Sequence, residues 1–371
     1  MKPRIVYKKN NTNSRKIKTK NHNKKRIAYK KNTNQIKKQK KTKKNNSICA
    51  PFIEPISVSN LSKSKSLTKS NVKIIKSVND VSCFTIEALR KIANKWNESH
   101  PMMKIEFDNI TSGAKLWSSI NNVMKYKCNN EICWMKQNFI KNSTLARELL
   151  KNFKPFMPKT WDKNPREWLN TIDIRDVMNQ YETKYPEFEF IGPVPMDFDT
   201  KIEFGQCVVD ELCKISLADL MNKKKDKIGV VFNLDKHTQS GSHWVAMYCN
   251  INSGNSGNDS GNNGNSGNDS SSNTNQNGEI CYWDSYGIEP NPEVVVLMNR
   301  LKEQAAKLDK TLEIKINDNR HQYKNSECGM YCIYFLTSLL DGKKFENVVK
   351  TIVDDDTMNN KRNDFYNKIE E

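Results

Sequence analysis

Apolar residues recur along this chain in two rhythms, and the change of rhythm divides it. Phe84, Ile86, Leu89, Ile92, Ala93 and Trp96 recur at helical spacing, as do Trp117, Ile120, Val123 and Met124, and then Leu145, Leu149 and Leu150. This pattern predicts a small helical domain over residues 76–155. From residue 156 to 371 the pattern alternates. Helical spacing is read over Thr171–Tyr181, Val208–Met221, Glu293–Leu308, Cys328–Leu340 and Phe345–Val353. Short apolar runs of strand type occupy Phe188–Ile191, Lys227–Leu234, His243–Cys249, Ile280–Asp284 and Leu312–Ile316. The mixture predicts a layered α+β domain over 156–371.

Two stretches carry no such rhythm. Residues 1–75 are mainly Lys, Asn, Ser and Thr with scattered Ile, a composition that cannot bury enough apolar surface to offset ordering entropy. A disordered basic tail is expected there. Asn252–Gly278 is 27 residues without an apolar side chain, built on Gly-Asn-Ser and Gly-Asn-Asp-Ser units. It reads as a flexible insert between two strands, a neutral expansion at a hairpin tip, where closure costs only about 0.6 kcal/mol per doubling of length.

Charge sharpens the picture of the tail. The chain has 61 basic and 42 acidic residues, but 19 of the basic ones lie within Met1–Asn45, where there is no acid. The rest balances at 42 of each sign, so the net charge of +19 belongs to the tail. Contact with DNA or another acidic surface through residues 1–45 is therefore expected of the tail and not of the body; nuclear targeting and a merely solubilising tail are the other readings. Ten cysteines are too sparse in 371 residues for a disulfide scaffold, and reduced thiols in a reducing compartment are expected. The basic N-terminus lacks the apolar core of a secretory signal. No run approaches the ~20 apolar residues of a membrane span, and a soluble protein is expected.

The candidate chemistry begins at His321-Gln322-Tyr323-Lys324-Asn325-Ser326-Glu327-Cys328-Gly329, which runs into the apolar stretch Met330–Leu340. A cysteine at the mouth of a helix meets backbone N–H groups that favour a thiolate. An amide six residues upstream, Gln322, can donate to a developing oxyanion. A base and an acid must come from elsewhere. His243 opens Ser242-His243-Trp244-Val245-Ala246, and Asp284 closes Cys281-Tyr282-Trp283-Asp284 before Ser285-Tyr286-Gly287. If those strands are neighbours, Asp284 can orient His243, and His243 can take the proton of Cys328. Each residue alone has an ordinary reading: a small core thiol, a hydrogen-bonded histidine, a turn-forming aspartate, a loop amide. Their order along the chain, each at a strand or helix end, favours the chemical reading. Cys128-Asn129-Asn130-Glu131-Ile132-Cys133 has no matching His/Cys pair nearby, so no metal is expected. Cys332 is read as a buried neighbour of Cys328.

Together, Ser242-His243-Trp244-Val245-Ala246, Tyr282-Trp283-Asp284-Ser285-Tyr286-Gly287, His321-Gln322 and Glu327-Cys328-Gly329-Met330-Tyr331 resemble the adenain/Ulp1-type cysteine proteases, most closely the branch of large nucleocytoplasmic DNA viruses. The resemblance covers about residues 160–371. It implies a papain-related α+β protease fold preceded by a small helical domain. It implies Cys328 as nucleophile, His243 as general base, Asp284 as orienting group, and Gln322 with the Cys328 N–H as oxyanion donors, with no cofactor. A member of that branch carries Asn where this chain has Asp284. The family cleaves after glycine, so the implied function is processing of viral structural or core polyproteins at Gly-Gly-like sites, in virions or the cytoplasmic viral factory. Other readings stay open: an isopeptidase acting on ubiquitin-like modifiers, an acetyl transferase on the same triad, or a nucleic-acid-binding virion protein with an inactive protease fold.

Overall fold

The computed structural model describes residues 48–54, 56–57, 81–252 and 277–368. The expected basic tail falls mostly outside the described residues, and so does the insert, of which only Asn252, Asn277 and Gly278 are described.

The N-terminal part contains a two-stranded antiparallel pair, β1 (Ile56–Ser57) with β2 (Val81–Ser82), and four helices. These are α1 (Ile86–Ser99), α2 (Gly113–Met124), α3 (Glu131–Met135) and α4 (Thr144–Leu150). Side chains of Thr85, Ser112, Asn130 and Ser143 accept a backbone N–H in the first turn of each helix in order. Such caps satisfy donors that have no partner within the helix. The apolar residues of the helical pattern converge on one cluster, with Phe84, Leu89, Ile92, Leu116, Ile120 and Trp134 buried. The pattern left α3 unread, because five residues are too few to show a period.

The remaining elements are α5 (Thr171–Lys184), β3 (Phe188–Pro195), α6 (Asp210–Cys213), α7 (Leu217–Asn222), β4 (Lys227–Asn233), β5 (Trp244–Asn250), β6 (Gly278–Trp283), α8 (Pro292–Ala306), β7 (Leu312–Ile316), α9 (Cys328–Leu340), α10 (Phe345–Lys350), α11 (Asp355–Asn360) and α12 (Arg362–Phe365). The mixed α+β content and the five-stranded sheet fit the fold class read from the sequence. Two helical spans differ from it. Val208–Met221 is not one helix but α6 and α7, and Ser216 between them caps α7 by accepting from Asp219 N. Phe345–Val353 ends at Lys350.

The sheet runs β3-β4-β5-β6-β7. The outer pairs β3/β4 and β6/β7 are parallel, and β5 is antiparallel to both its neighbours. Alternation along β5 divides the core: Val245, Met247 and Cys249 face a cluster with α7 and α8, while Trp244, Ala246 and Tyr248 face α5 and α9. Helix α9 is buried at every residue, which explains its unbroken apolar sequence. The topology places the ends of β3, β4, β6 and β7 and the start of β5 at one end of the sheet. Residues 243, 284 and 317–328 therefore gather there, and the insert between β5 and β6 joins them at the opposite end.

The expectation of reduced cysteines is corrected. Three pairs are disulfide-bonded: Cys49–Cys83, Cys128–Cys133 and Cys207–Cys213. Two of these close loops of five and six residues, so local chain geometry alone brings the sulfurs together. The four free thiols, Cys249, Cys281, Cys328 and Cys332, are all buried in the sheet and α9. Among the described residues, no helix is long and apolar enough to cross a membrane.

Candidate active site

His243 immediately precedes β5 and Asp284 immediately follows β6. The register Ala246↔Trp283 continues to bring position 243 across from 286. The His243 and Tyr286 rings accordingly stack, centroids 4.8 Å apart. His243 Nε2 lies 2.9 Å from Asp284 Oδ1. That carboxylate is buried and also accepts the Tyr286 N–H at 2.8 Å. The buried Asn317 side chain donates to the Asp284 carbonyl at 2.7 Å, fixing the backbone that carries the acid.

With Nε2 committed to Asp284, Nδ1 is the nitrogen left for the Cys328 thiol, which lies close enough to act on the pKa of the same imidazole. Burial opposes charging the ring, but the hydrogen bonds to Asp284 and Cys328 and the charge on both outweigh it, raising the His243 pKa to about 9. Cys328 is the first residue of α9 and is buried. Glycine follows it for a steric reason: a Cβ at Gly329 would lie 3.0 Å from Leu169 Cβ and 3.3 Å from Trp244 Cδ1. Trp244 is fixed in turn by its indole N–H, which donates to the Leu169 carbonyl at 3.0 Å.

Gln322 is fully buried in the loop between β7 and α9. Its Oε1 accepts from Ser285 Oγ at 2.6 Å, and its Nε2 donates to the Lys324 carbonyl at 2.8 Å. A carbonyl can only accept, which fixes the nitrogen end of the amide. The other N–H of the amide is not engaged by these contacts. The backbone N–H groups of His321 and Gln322 both donate to the Ser285 carbonyl, tying this loop to the segment after Asp284.

Glu327, next to Cys328, is fully buried between cations: Arg166 at 3.1 Å and Arg362 at 3.4 Å, with Ser326 Oγ donating at 3.0 Å. Arg362 also lies 4.4 Å over the Trp161 ring and donates to the Glu167 carbonyl at 2.6 Å. His321 has a different character from His243. It is buried, its Nε2 faces the Val349 carbonyl at 3.1 Å, and burial lowers its pKa.

All four residues chosen from the sequence lie at one end of the sheet; His243 bonds Asp284 directly, and Cys328 lies near enough to act on the same ring. Tyr286 and Ser285 were within the motif but had no assigned role. Asn317, Arg362 and Asp355 had no sequence signal, since each acts through contacts distant in the chain. Cys332 is buried, with its thiol pKa pushed well up by desolvation, as expected of a core neighbour. No cluster of metal-ligating side chains occurs among the described residues.

This geometry can be set beside known proteins. "Putative thiol protease R355" of Acanthamoeba polyphaga mimivirus is 30% identical over 300 residues, covering 76% of this chain and 88% of that protein. The chain belongs to the Ulp1 protease family. That family's C-terminal catalytic domain profile matches residues 214–371, the segment holding His243, Asp284, Gln322 and Cys328. An African swine fever virus relative is named a cysteine protease in one isolate and a SUMO-1 cysteine protease in another. Both are 24% identical over 244 residues, covering 62% of this chain and 80% of theirs. The crystal structure of the African swine fever virus protease superposes with a TM-score of 0.53 at 19% identity, covering 87% of this chain and 97% of that one. The shared fold includes the N-terminal helical region. The protein is a viral cysteine protease of the Ulp1 family, and its substrates are proteins.

Proposed function

We propose that this protease matures viral structural or core polyproteins by cutting after glycine, with Cys328 as nucleophile. The observation that carries the reading is one imidazole hydrogen-bonded to the Asp284 carboxylate, with Cys328 near enough to help raise its pKa. His243 takes the thiol proton, and the sulfur attacks the scissile carbonyl carbon. The carbonyl oxygen becomes an oxyanion, received by the Cys328 backbone N–H and the remaining N–H of Gln322. His243 then gives its proton to the leaving amine as the C–N bond breaks. Water, deprotonated by the same ring, hydrolyses the thioester and frees the enzyme. Asp284 keeps the ring oriented and stabilises its charged form.

The purified full chain is expected to cleave a Gly-Gly-containing core or capsid precursor, and Cys328→Ala to lose at least about 10⁴ in turnover. Equal processing by both proteins would remove Cys328 from the mechanism. A second reading, an isopeptidase for ubiquitin-like modifiers, is favoured by the SUMO-1 protease name of the swine fever relative. A ubiquitin-like probe with a reactive C-terminus separates the two. Labelling of Cys328 by the probe without precursor cleavage would favour the isopeptidase. Residues 1–45 we assign to DNA or acidic-surface contact near the site of particle assembly. Their deletion should lower DNA affinity and flatten its salt dependence.

A further inference from the structure

We propose that Asp355 is a positioning residue for the oxyanion hole, acting through the loop that carries Gln322. The inference rests on the role proposed above for Gln322. Asp355 is the first residue of α11, more than thirty positions beyond the loop, and is 5% exposed. Its Oδ2 accepts two consecutive backbone N–H groups, from Tyr323 at 2.9 Å and Lys324 at 3.0 Å. Two adjacent donors on one carboxylate oxygen form a charge-assisted clamp, stronger than bonds between neutral groups. The other oxygen lies 3.5 Å from Tyr331 Oη, one turn along α9 from Cys328. That hydroxyl is itself within 2.7 Å of the Val353 carbonyl and 3.1 Å of the His321 carbonyl.

The clamp holds the residue whose carbonyl sets the Gln322 side chain. Lys324 donates its N–H to Asp355, and its own carbonyl accepts from Gln322 Nε2. Ser285 grips the opposite end of the amide. Between them these contacts fix the side-chain rotation, and with it the direction of the one N–H left for substrate. With Asp355 removed, Tyr323 and Lys324 lose their acceptor, and the Lys324 carbonyl is held from outside the loop only by Tyr286 Oη, which donates to it at 3.0 Å. Gln322 then keeps Ser285 while its second anchor is loosened. The imidazole and thiol share no contact with Asp355, so their pairing is preserved.

This separation gives a test that a merely structural role would fail. Acylation by a peptide develops an oxyanion, whereas alkylation by iodoacetamide displaces iodide at a saturated carbon and develops none. The other free thiols do not compete, since burial raises their pKa, that of Cys249 to about 12. In the full-length protein, Asp355→Ala is expected to lower kcat on a Gly-Gly peptide by about 10- to 100-fold, less than loss of a direct donor. KM and the Cys328 alkylation rate should stay near those of the parent. Combined with Gln322→Ala, it should add no further loss, because both changes remove one function. Unchanged turnover, alkylation that falls in step with turnover, or losses that multiply in the double variant would each overturn the proposal. Should Asp355→Ala fail to fold, Asp355→Asn, which keeps an acceptor oxygen but not the charge, must show a smaller loss with the same intact alkylation. Full turnover by Gln322→Ala alone would instead sink the role given to Gln322.

Discussion

The helices of the N-terminal region and the helix that carries Cys328 begin in opposite ways. Each of α1 to α4 is closed by a side chain that accepts one of its free N–H groups. Helix α9 has no such cap; Glu327 stands in the cap position, but its carboxylate is taken by Arg166 and Arg362. A capped end is stable and chemically silent. An uncapped end beside a nucleophile keeps backbone donors for a charge that exists only during reaction. Buried carboxylates repeat the contrast. Glu131, among the N-terminal helices, has no cation paired with it among the described residues; it accepts from Ser82, Cys83 and Trp117, and burial raises its pKa. Glu327 is held by two arginines. The first region is built for stability, and the second spends some stability on chemistry.

The comparison can be broken by separating stability from rate. Arg362→Ala leaves Glu327 buried beside a single, partly exposed arginine and should cost about 3 kcal/mol, read as a lowered denaturation midpoint. Gln322→Ala should lower kcat by ~10²–10³ with little change in melting temperature. Asp284→Asn keeps an acceptor for His243 but removes its charge, so turnover at neutral pH should fall by about tenfold or more. The pH profile gives the sign. His243 is raised from 6.5 to about 9, so its stabilising charge is fully present below about 6.5 and lost as pH rises through about 9. Activity should share that alkaline limb, and Asp284→Asn should move it to lower pH. A limb that stays in place would remove Asp284 as its cause. The smallest effect belongs to Thr85→Ala, which should destabilise by about 1 kcal/mol through the lost α1 cap and leave kcat unchanged. A matching loss of kcat would mean that the two regions are not separable.

Much of this was legible because the relevant signals are local. Short apolar runs marked β4, β5 and β6, and the strand-end placement of His243 and Asp284 followed from where those runs begin and stop. Cys328 and Gln322 share one loop, so their spacing was informative. The supports were not legible. Asp355 and Arg362 sit in short polar helices whose apolar anchors, Met358 and Phe365, are too few to show a period. Their partners are set by tertiary contacts with 321–327. The break between α6 and α7 was missed because Ser216 acts as a cap only once the chain has turned. The disulfides were missed because overall cysteine density says nothing about pairs five or six residues apart, nor about Cys49 and Cys83, 34 residues apart and joined only by the fold.

The β5–β6 hairpin has its chemistry at one end and its insert at the other. β5 is seven residues long, so on the order of 20 Å of paired backbone separates His243 from Asn252. Every hydrogen bond that orients His243 or Asp284 lies on the near side. The far connection can therefore gain or lose repeats, or accept a fluorophore or affinity handle, without a change in the catalytic geometry. It is the point where this lineage can drift in length while its reaction stays the same.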